Sequence, residues 1–372
     1  MLKNFWYAVA WDNEVTDTPT KIRVLGQDLA LYRTPDGVAH CVSDLCIHRG
    51  GSLGNGWVED GCIVCPYHGW QFNSDGECTK IPASPGGGPV PKKARVDAYP
   101  TREKYGWVWV FLGDLPEEER PPMPVFPEME DPAWRVVRGT YDWEANYERV
   151  VENGTDVAHT AFVHSFGNAE KPEVTKQEIT LEDWGCHMDV ELDPQASTGL
   201  WKRFFKGDDR MVKVRSSWWM PSIVRIHISN PLGEIIIYDT NIPVDANHTR
   251  TLWLGLRNFF TGSWADRDAK RRIEAIFEQD HKVVSEQRPE LLPWDMDAEL
   301  HHKSDRPAVE YRKLRKRLID QGWGIDAHRL KTNQPRGEMT VIPSPARREN
   351  PELAHAWVTK EIEAAIPHPD DV

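Results

Sequence analysis

Six cysteines in 372 residues are too sparse for a disulfide framework, so a reducing setting is expected. Basic charge is short as well. Lys and Arg number 45 against 58 Asp and Glu, and the net charge of −13 argues against nucleic acid or an anionic membrane as partner. No apolar run approaches the ~18–20 residues of a membrane span. The start, MLKNFWYAVAWDNE, carries one lysine and soon meets acids, so it does not read as a signal peptide and a cytoplasmic location is expected. Glycine-rich nucleotide loops are missing too. SPGGGPVP lacks the flanking strand and helix such a loop needs, which excludes a nicotinamide, flavin or nucleotide site on this chain. Tryptophan, at 17 residues, is the one excess, and it reads as core and interface.

What is present divides the chain in two. Up to about residue 113, short apolar and aromatic runs such as IRVLGQDLALYRT and GWVWVFLGD alternate with Gly, Asp and Asn turns, a β pattern. DLPEEERPPMPVFPEMEDP then reads as a linker. The expected domains are 1–115 and 133–372, joined by 116–132. In the second, 144–163 is a helical candidate, 174–260 is β-rich, a strong helix covers about 264–287, and another covers AVEYRKLRKRLIDQGW. The tail from about 331 is polar and proline-containing, either extended or wrapped on a neighbour.

The stretch CIHRGGSLGNGWVEDGCIVCPYHGWQF holds Cys46, His48, Cys65 and His68 as C-x-H, sixteen residues, then C-x2-H. Structural zinc modules commonly pair cysteine with cysteine and histidine with histidine on a helix. Here each pair is mixed and lies among glycine turns, which suits a Rieske [2Fe–2S] centre, with thiolates on one iron and imidazoles on the other.

These residues closely resemble the Rieske domain of the Rieske non-haem iron oxygenases, and the resemblance covers nearly the whole chain. It implies that Cys46 and Cys65 bind the inner iron of the cluster, and His48 and His68 the outer. Cys41, Cys62, Cys78 and Cys186 match no ligand position and are expected to be ordinary buried residues.

A cluster alone would describe an electron carrier, so a second metal decides the class. VENGTDVAHTAFVH supplies Asp156, His159 and His164. Two histidines and a carboxylate on one face suit an O2-activating non-haem Fe(II) site. Five residues turn a helix by about 140°, so His159 and His164 reach one ion only if the helix bends or ends between them. The run also fits the family pattern N-x2-D-x2-H-x4-H. The resemblance implies that its histidines bind iron and that Asp156 links an iron-binding histidine to a Rieske histidine of a neighbouring subunit. Asn153 is placed close to the iron by the same resemblance.

The third ligand is expected on the late helix. In KRRIEAIFEQDHKVVSEQRPE, Ile273, Ile276, Phe277, Val283 and Val284 are read as an apolar face, with Glu274, Glu278 and Lys282 on the other. Asp280 falls among the apolar positions, where a carboxylate is costly unless paired or bound to metal. His281 reads as a bystander.

The resemblance implies an α+β chain, an N-terminal all-β Rieske domain followed by a helix-grip catalytic domain. It implies a terminal oxygenase with a Rieske [2Fe–2S] cluster and a mononuclear Fe(II). The expected substrate is a small aromatic organic molecule, which is hydroxylated or oxidatively O- or N-demethylated with O2. Electrons come from a separate NAD(P)H-dependent reductase or ferredoxin, and the assembly is a homotrimer in which His68 faces Asp156 of the next subunit. Looser likeness points to the homo-oligomeric group of vanillate O-demethylase and phthalate dioxygenase. The alternative is a Rieske electron-transfer protein without oxygenase activity. Strands between 216 and 260 are expected to wall the pocket. Arg225, His227 and Arg257 are read as surface or sheet-edge charges unless one faces inward. Trp218, Trp219 and Met220 are read as substrate-stacking or core residues.

Overall fold

A computed structural model describes residues 1–84, 86, 88–192, 212–326, 330 and 339–365. The chain forms two compact units. The first holds residues 1–123, the short stretch 244–246 and the described part of 318–366; the second holds 124–243 and 247–317.

The first unit is β throughout its N-terminal part. Its strands are β1 (Phe5–Trp11), β2 (Thr20–Val24), β3 (Gln27–Arg33), β4 (Ala39–Ser43), β5 (Trp57–Glu59), β6 (Cys62–Val64), β7 (Gln71–Phe72), β8 (Cys78–Lys80), β9 (Ala98–Tyr99), β10 (Thr101–Lys104) and β11 (Trp107–Leu112). They make three antiparallel sheets, ordered β1-β11-β10, β2-β3-β4-β9 and β5-β6-β7-β8. The strand WVWVFL of β11 is buried at every position, so both of its faces are covered. Ala30, Tyr32, Ile63, Phe72 and Val96 pack with Cys46 and Cys65 in one core, which fixes the two cysteines from below.

The second unit contains β12 (Arg135–Trp143), α1 (Tyr147–Thr155), α2 (Thr160–Val163), β13 (Thr175–Leu181), β14 (Gly185–Leu192), β15 (Val212–Trp219), β16 (Ile223–Asn230), β17 (Gly233–Pro243), β18 (Thr249–Arg257), α3 (Asp266–Val284) and most of α4 (Arg306–Asp320). Its seven strands form one antiparallel sheet, β12-β18-β17-β16-β15-β14-β13. The 19-residue α3 packs on β12 and β18 and against α1 and α2. Ile273, Phe277 and Val284 are buried along it, each stabilising the contact by about 1.5–3 kcal/mol. The expected α+β architecture is present: an all-β unit, then an antiparallel sheet with a long helix. No helix among the described residues is long and apolar enough to cross a membrane.

Four sequence readings change. Val283 is 46% exposed, because it lies one residue, and so ~100° of helix, away from the buried Val284. The second half of the linker is docked: Phe126 is fully buried and stacks on Tyr238 at 4.1 Å, and Glu128 accepts from the Tyr238 hydroxyl at 2.6 Å. Cys62 is half-buried, with its thiol 3.6 Å from Thr79 Oγ1, whereas Cys41, Cys78 and Cys186 are buried. The expected second domain, 133–372, includes 318–366, but by contact the described part of that stretch packs with the first unit. There the Arg347 guanidinium clasps Asp97 at 2.7 and 2.8 Å, and the Ser344 hydroxyl donates to the same carboxylate. The parts of the β-rich stretch and tail at 193–211, 327–329, 331–338 and 366–372 lie outside the described residues.

Candidate metal centres

Cys46 and Cys65 stand on two loops of matching backbone. Between β4 and β5, the Cys46 N–H donates to Gly51 O and the Gly50 N–H to Cys46 O, both at 2.9 Å. Between β6 and β7, the Cys65 N–H donates to Trp70 O at 2.8 Å and the Gly69 N–H to Cys65 O at 2.9 Å. Gly50 and Gly69 close the turns at φ 68° and 70°, a conformation open to glycine at no steric cost. Both cysteines are buried, His48 is half-buried and His68 is exposed. The two imidazole centroids lie 4.4 Å apart, and Trp70 stacks flat on His48 at 4.6 Å.

These residues fit a two-iron cluster. Burial pushes the Cys46 thiol up to about 12, so the thiolate needs a cation beside it. His48 Nδ1 is buried with no hydrogen-bond partner. A Cβ placed on Gly51 would stand 2.9 Å from Cys65 Sγ, so glycine keeps the space above the sulfur clear. Buried thiols on one side, and on the other two imidazoles, one with an unpartnered buried nitrogen, match mixed Cys and His ligation.

The second centre lies wholly in the second unit. Asn146 caps α1 by accepting from the Glu148 N–H, and α1 ends at Thr155 as Asp156 turns extended. His159 starts α2, and His164 ends it in an extended conformation. The chain therefore leaves the helix at His164, between the two imidazoles, which overcomes the 140° that separates the histidines on a straight helix. Their Nε2 atoms lie 3.2 Å apart, and Asp280 Oδ1 on α3 lies 3.3 and 3.5 Å from them. Ligand atoms sharing one face of an octahedron with ~2.1 Å bonds are spaced by about 3 Å. Asp280 is 5% exposed and its Oδ1 has no hydrogen bond. Three converging, poorly satisfied polar atoms are costly in a protein interior without a cation, so the site fits one. Among the described residues this trio is the one group of three such side chains with ligand atoms within 4.8 Å.

The outer partners are specific. His164 Nδ1 lies 3.1 Å from Gln279 Oε1; an amide oxygen only accepts, so the ring proton sits on Nδ1 and leaves Nε2 free to ligate. His159 Nδ1 is 3.6 Å from Asp156 Oδ2, and Asp156 Oδ1 accepts from the Ala158 N–H at 2.7 Å. Burial pushes His159 down, but the carboxylates of Asp156 and Asp280 outweigh it and hold it up at about 9. Burial holds His164 below its ordinary value. This corner of the fold attracts positive charge. His281 is a bystander, its Nδ1 3.1 Å from the Tyr141 hydroxyl.

The trio opens on a cavity of about 1290 Å³ that Asn153 also lines. Its wall is mostly aliphatic and aromatic, drawn from β12 and β14–β18 and from α3. Of the three candidate anchors, Arg257 faces the cavity and is buried, so it is no surface charge. Arg225 is buried against Glu128 at 2.7 Å, and His227 pairs with Glu234 at 3.2 Å. Trp218 is core: its indole N–H donates to Pro307 O at 2.9 Å and its ring meets Tyr311 edge-on. Two polar residues of the site escaped the sequence reading. Gln279 lies beside Asp280, and Asp239 occupies the inward phase of β17 after Ile235 and Ile237, a signal that strand alternation carries.

Residues 5–100 match the family described as the Rieske [2Fe-2S] domain, and 143–321 match the vanillate O-demethylase oxygenase C-terminal domain. The chain is 36% identical over 259 residues to a 4beta-methylsterol monooxygenase of Methylococcus capsulatus, covering 69% of each. It is 27% identical over 340 residues to the methylxanthine N1-demethylase NdmA of Pseudomonas putida, covering 85% of this chain and 89% of the other. In fold it matches a dicamba monooxygenase structure bound to 3,6-dichlorosalicylic acid, with TM-score 0.70 and 24% identity over 86% of this chain and 97% of the other. The chain belongs to the Rieske-type oxygenases, which join a Rieske domain and an oxygenase domain in one polypeptide. It is an enzyme of that family, and the cofactors of the family are a Rieske [2Fe–2S] cluster and a mononuclear iron.

Proposed function

We propose that the protein is a terminal oxygenase that hydroxylates or oxidatively demethylates a bulky, mainly apolar organic substrate. The observation that carries this is the buried His159–His164–Asp280 triangle opening on an aliphatic cavity of about 1290 Å³. In this reading Cys46, His48, Cys65 and His68 hold the cluster, and His159, His164 and Asp280 hold the mononuclear iron. When bound, the iron activates O2 and the cluster supplies it with electrons.

The remaining work falls to the chain itself. Gln279 fixes the tautomer of His164, Asp156 orients His159, and the apolar wall seats the substrate while excluding water. Removing an O-methyl group as formaldehyde consumes O2, two electrons and two protons, and yields the phenol or alcohol with water. The chain carries no dinucleotide or flavin fingerprint, which supports a separate NAD(P)H-dependent reductase or ferredoxin as donor. We also read the assembly as a homotrimer in the cytoplasm. Its support is that His68 is exposed and the Asp156 side chain is 38% exposed, so each is free to meet a neighbouring subunit. Relatives named for a methylsterol and for a methylxanthine bracket the size range of the substrate.

The test is a single turnover. Chemically reduced holoprotein is mixed with O2 and a panel of methoxyarenes, N-methyl heterocycles and methylsterols, and formaldehyde and hydroxylated products are quantified. Product in proportion to the reduced protein supports the reading. Oxidation of the cluster with no product from any member of the panel supports the electron carrier.

A further inference from the structure

Sheet register shows which side chains enter the cavity. On β17, Ile235, Ile237 and Asp239 alternate inward. Ile228 and Ile226 on β16 are the direct neighbours of Ile235 and Ile237, and Val214 on β15 is that of Ile228. On β18, Arg257, Gly255 and Trp253 stand opposite the same three β17 residues. The sheet wall is thus aliphatic apart from Trp143, Asn230, Gly255 and two ionisable side chains, Arg257 and Asp239. Arg257 is matched: it donates to Asp266 Oδ1 at 2.6 Å and to Phe260 O at 3.1 Å. Asp239 is not. It is 6% exposed, and its buried Oδ1 has no hydrogen-bond partner. Burial, with the negative Asp280 adding to the push, raises its carboxyl to about 8. An unpartnered carboxyl inside an aliphatic wall destabilises a fold, and a leucine would pack there without that cost.

We infer that Asp239 is the residue that selects the substrate, by accepting a hydrogen bond from an O–H or N–H group on an otherwise apolar molecule. This rests on the cavity being the substrate site. Asp268 and Asp280 both line the cavity, so it runs along some 18 Å of α3. Arg257, opposite Ile235, holds Asp266 at the start of α3, and Ile273 abuts Gly255, opposite Ile237, so Asp239, the next inward residue, lies toward the Asp280 end. The donor group therefore sits at the end where oxidation occurs. The apolar body of the substrate extends toward Phe260 and Trp264, which are 48% and 74% exposed.

The experiment uses holoprotein kept anaerobic, loaded with Fe(II), and two probes that differ by a methyl group in place of the hydroxyl hydrogen: 4-phenylphenol and its methyl ether, 4-methoxybiphenyl. Calorimetric titration of the wild type should favour the phenol by about tenfold, the ratio given by one net hydrogen bond. Asp239→Leu should lose that preference while holding its affinity for the ether. Asp239→Asn should keep part of it, because its amide oxygen still accepts. Asp239→Leu should also melt at or above the wild-type temperature, whereas a purely structural aspartate would lower it. An equal preference in Asp239→Leu, or no preference in the wild type (failure of both probes to bind included), overturns the inference. The high-spin iron–nitrosyl signal is recorded on every sample. Its absence in the wild type sinks the oxygenase reading, and a normal signal with an unchanged preference sinks the role of Asp239 alone.

Discussion

His159 Nε2 and His164 Nε2 stand 3.2 Å apart although a continuous helix would turn them about 140° from each other. The exit from helical geometry at His164, which is extended at the end of α2, makes this possible. The cost of aiming two imidazoles and the Asp280 carboxylate at one point is offset when a cation occupies it. Everything proposed for catalysis depends on that convergence.

Gln279 sets the His164 tautomer through its side-chain oxygen. Gln279→Leu leaves Nδ1 without an acceptor and should weaken binding of the mononuclear iron by about 10–100-fold. Fe(II) titration of the iron-depleted protein checks this, and the visible spectrum of the cluster should not change.

Asp156 touches His159 and is partly exposed. Asp156→Asn should leave both irons bound and slow turnover by at least about tenfold, since electron delivery is impaired while ligation persists. Stopped-flow oxidation of the cluster in the presence of O2 and substrate reads that step directly. Unchanged turnover would remove Asp156 from the electron path.

Gly51 keeps the space over Cys65 Sγ clear. Gly51→Val should give protein without the red-brown colour of a Rieske cluster, because its side chain enters the ligand space. The mononuclear site lies in the other unit and should still bind Fe(II).

Glu148 and Arg315 form a buried pair at 2.5 Å. Burial alone would raise Glu148, but the guanidinium beside it holds its carboxyl below the usual range. The pair therefore stabilises the fold fully above the unfolded value of ~4.3, and that contribution is lost as pH falls through the lower folded value. Glu148→Gln strands a buried guanidinium and should cost about 3–5 kcal/mol at neutral pH. Denaturant unfolding from pH 3 to 7 should show the difference from wild type shrinking toward the acid end.

How much of this was legible depended on whether a residue's reason was local. The C-x-H and C-x2-H spacing reports two short loops, so the cluster residues could be read directly. Asp280 could be read because one acid on the apolar phase of a helix breaks a pattern of period 3.6. Val283 was misplaced because neighbouring positions at a helix end differ by ~100°. Asp239 breaks a pattern of period 2 in the same way, yet EIIIYDTN is apolar on both phases, which hides which one faces the cavity. Phe126 and Arg347 were out of reach, since their partners Tyr238 and Asp97 lie more than a hundred residues away and proline-rich, charged surroundings suggest solvent.

The central claim is that His159, His164 and Asp280 hold an O2-activating iron in a chain that also carries a Rieske cluster. Electron paramagnetic resonance of anaerobically reduced protein, loaded with Fe(II) and exposed to nitric oxide, tests it most directly. The account predicts a Rieske signal together with a high-spin iron–nitrosyl signal, the second disappearing in Asp280→Ala while the first remains. A Rieske signal with no nitrosyl signal after added Fe(II) would contradict it and leave an electron carrier.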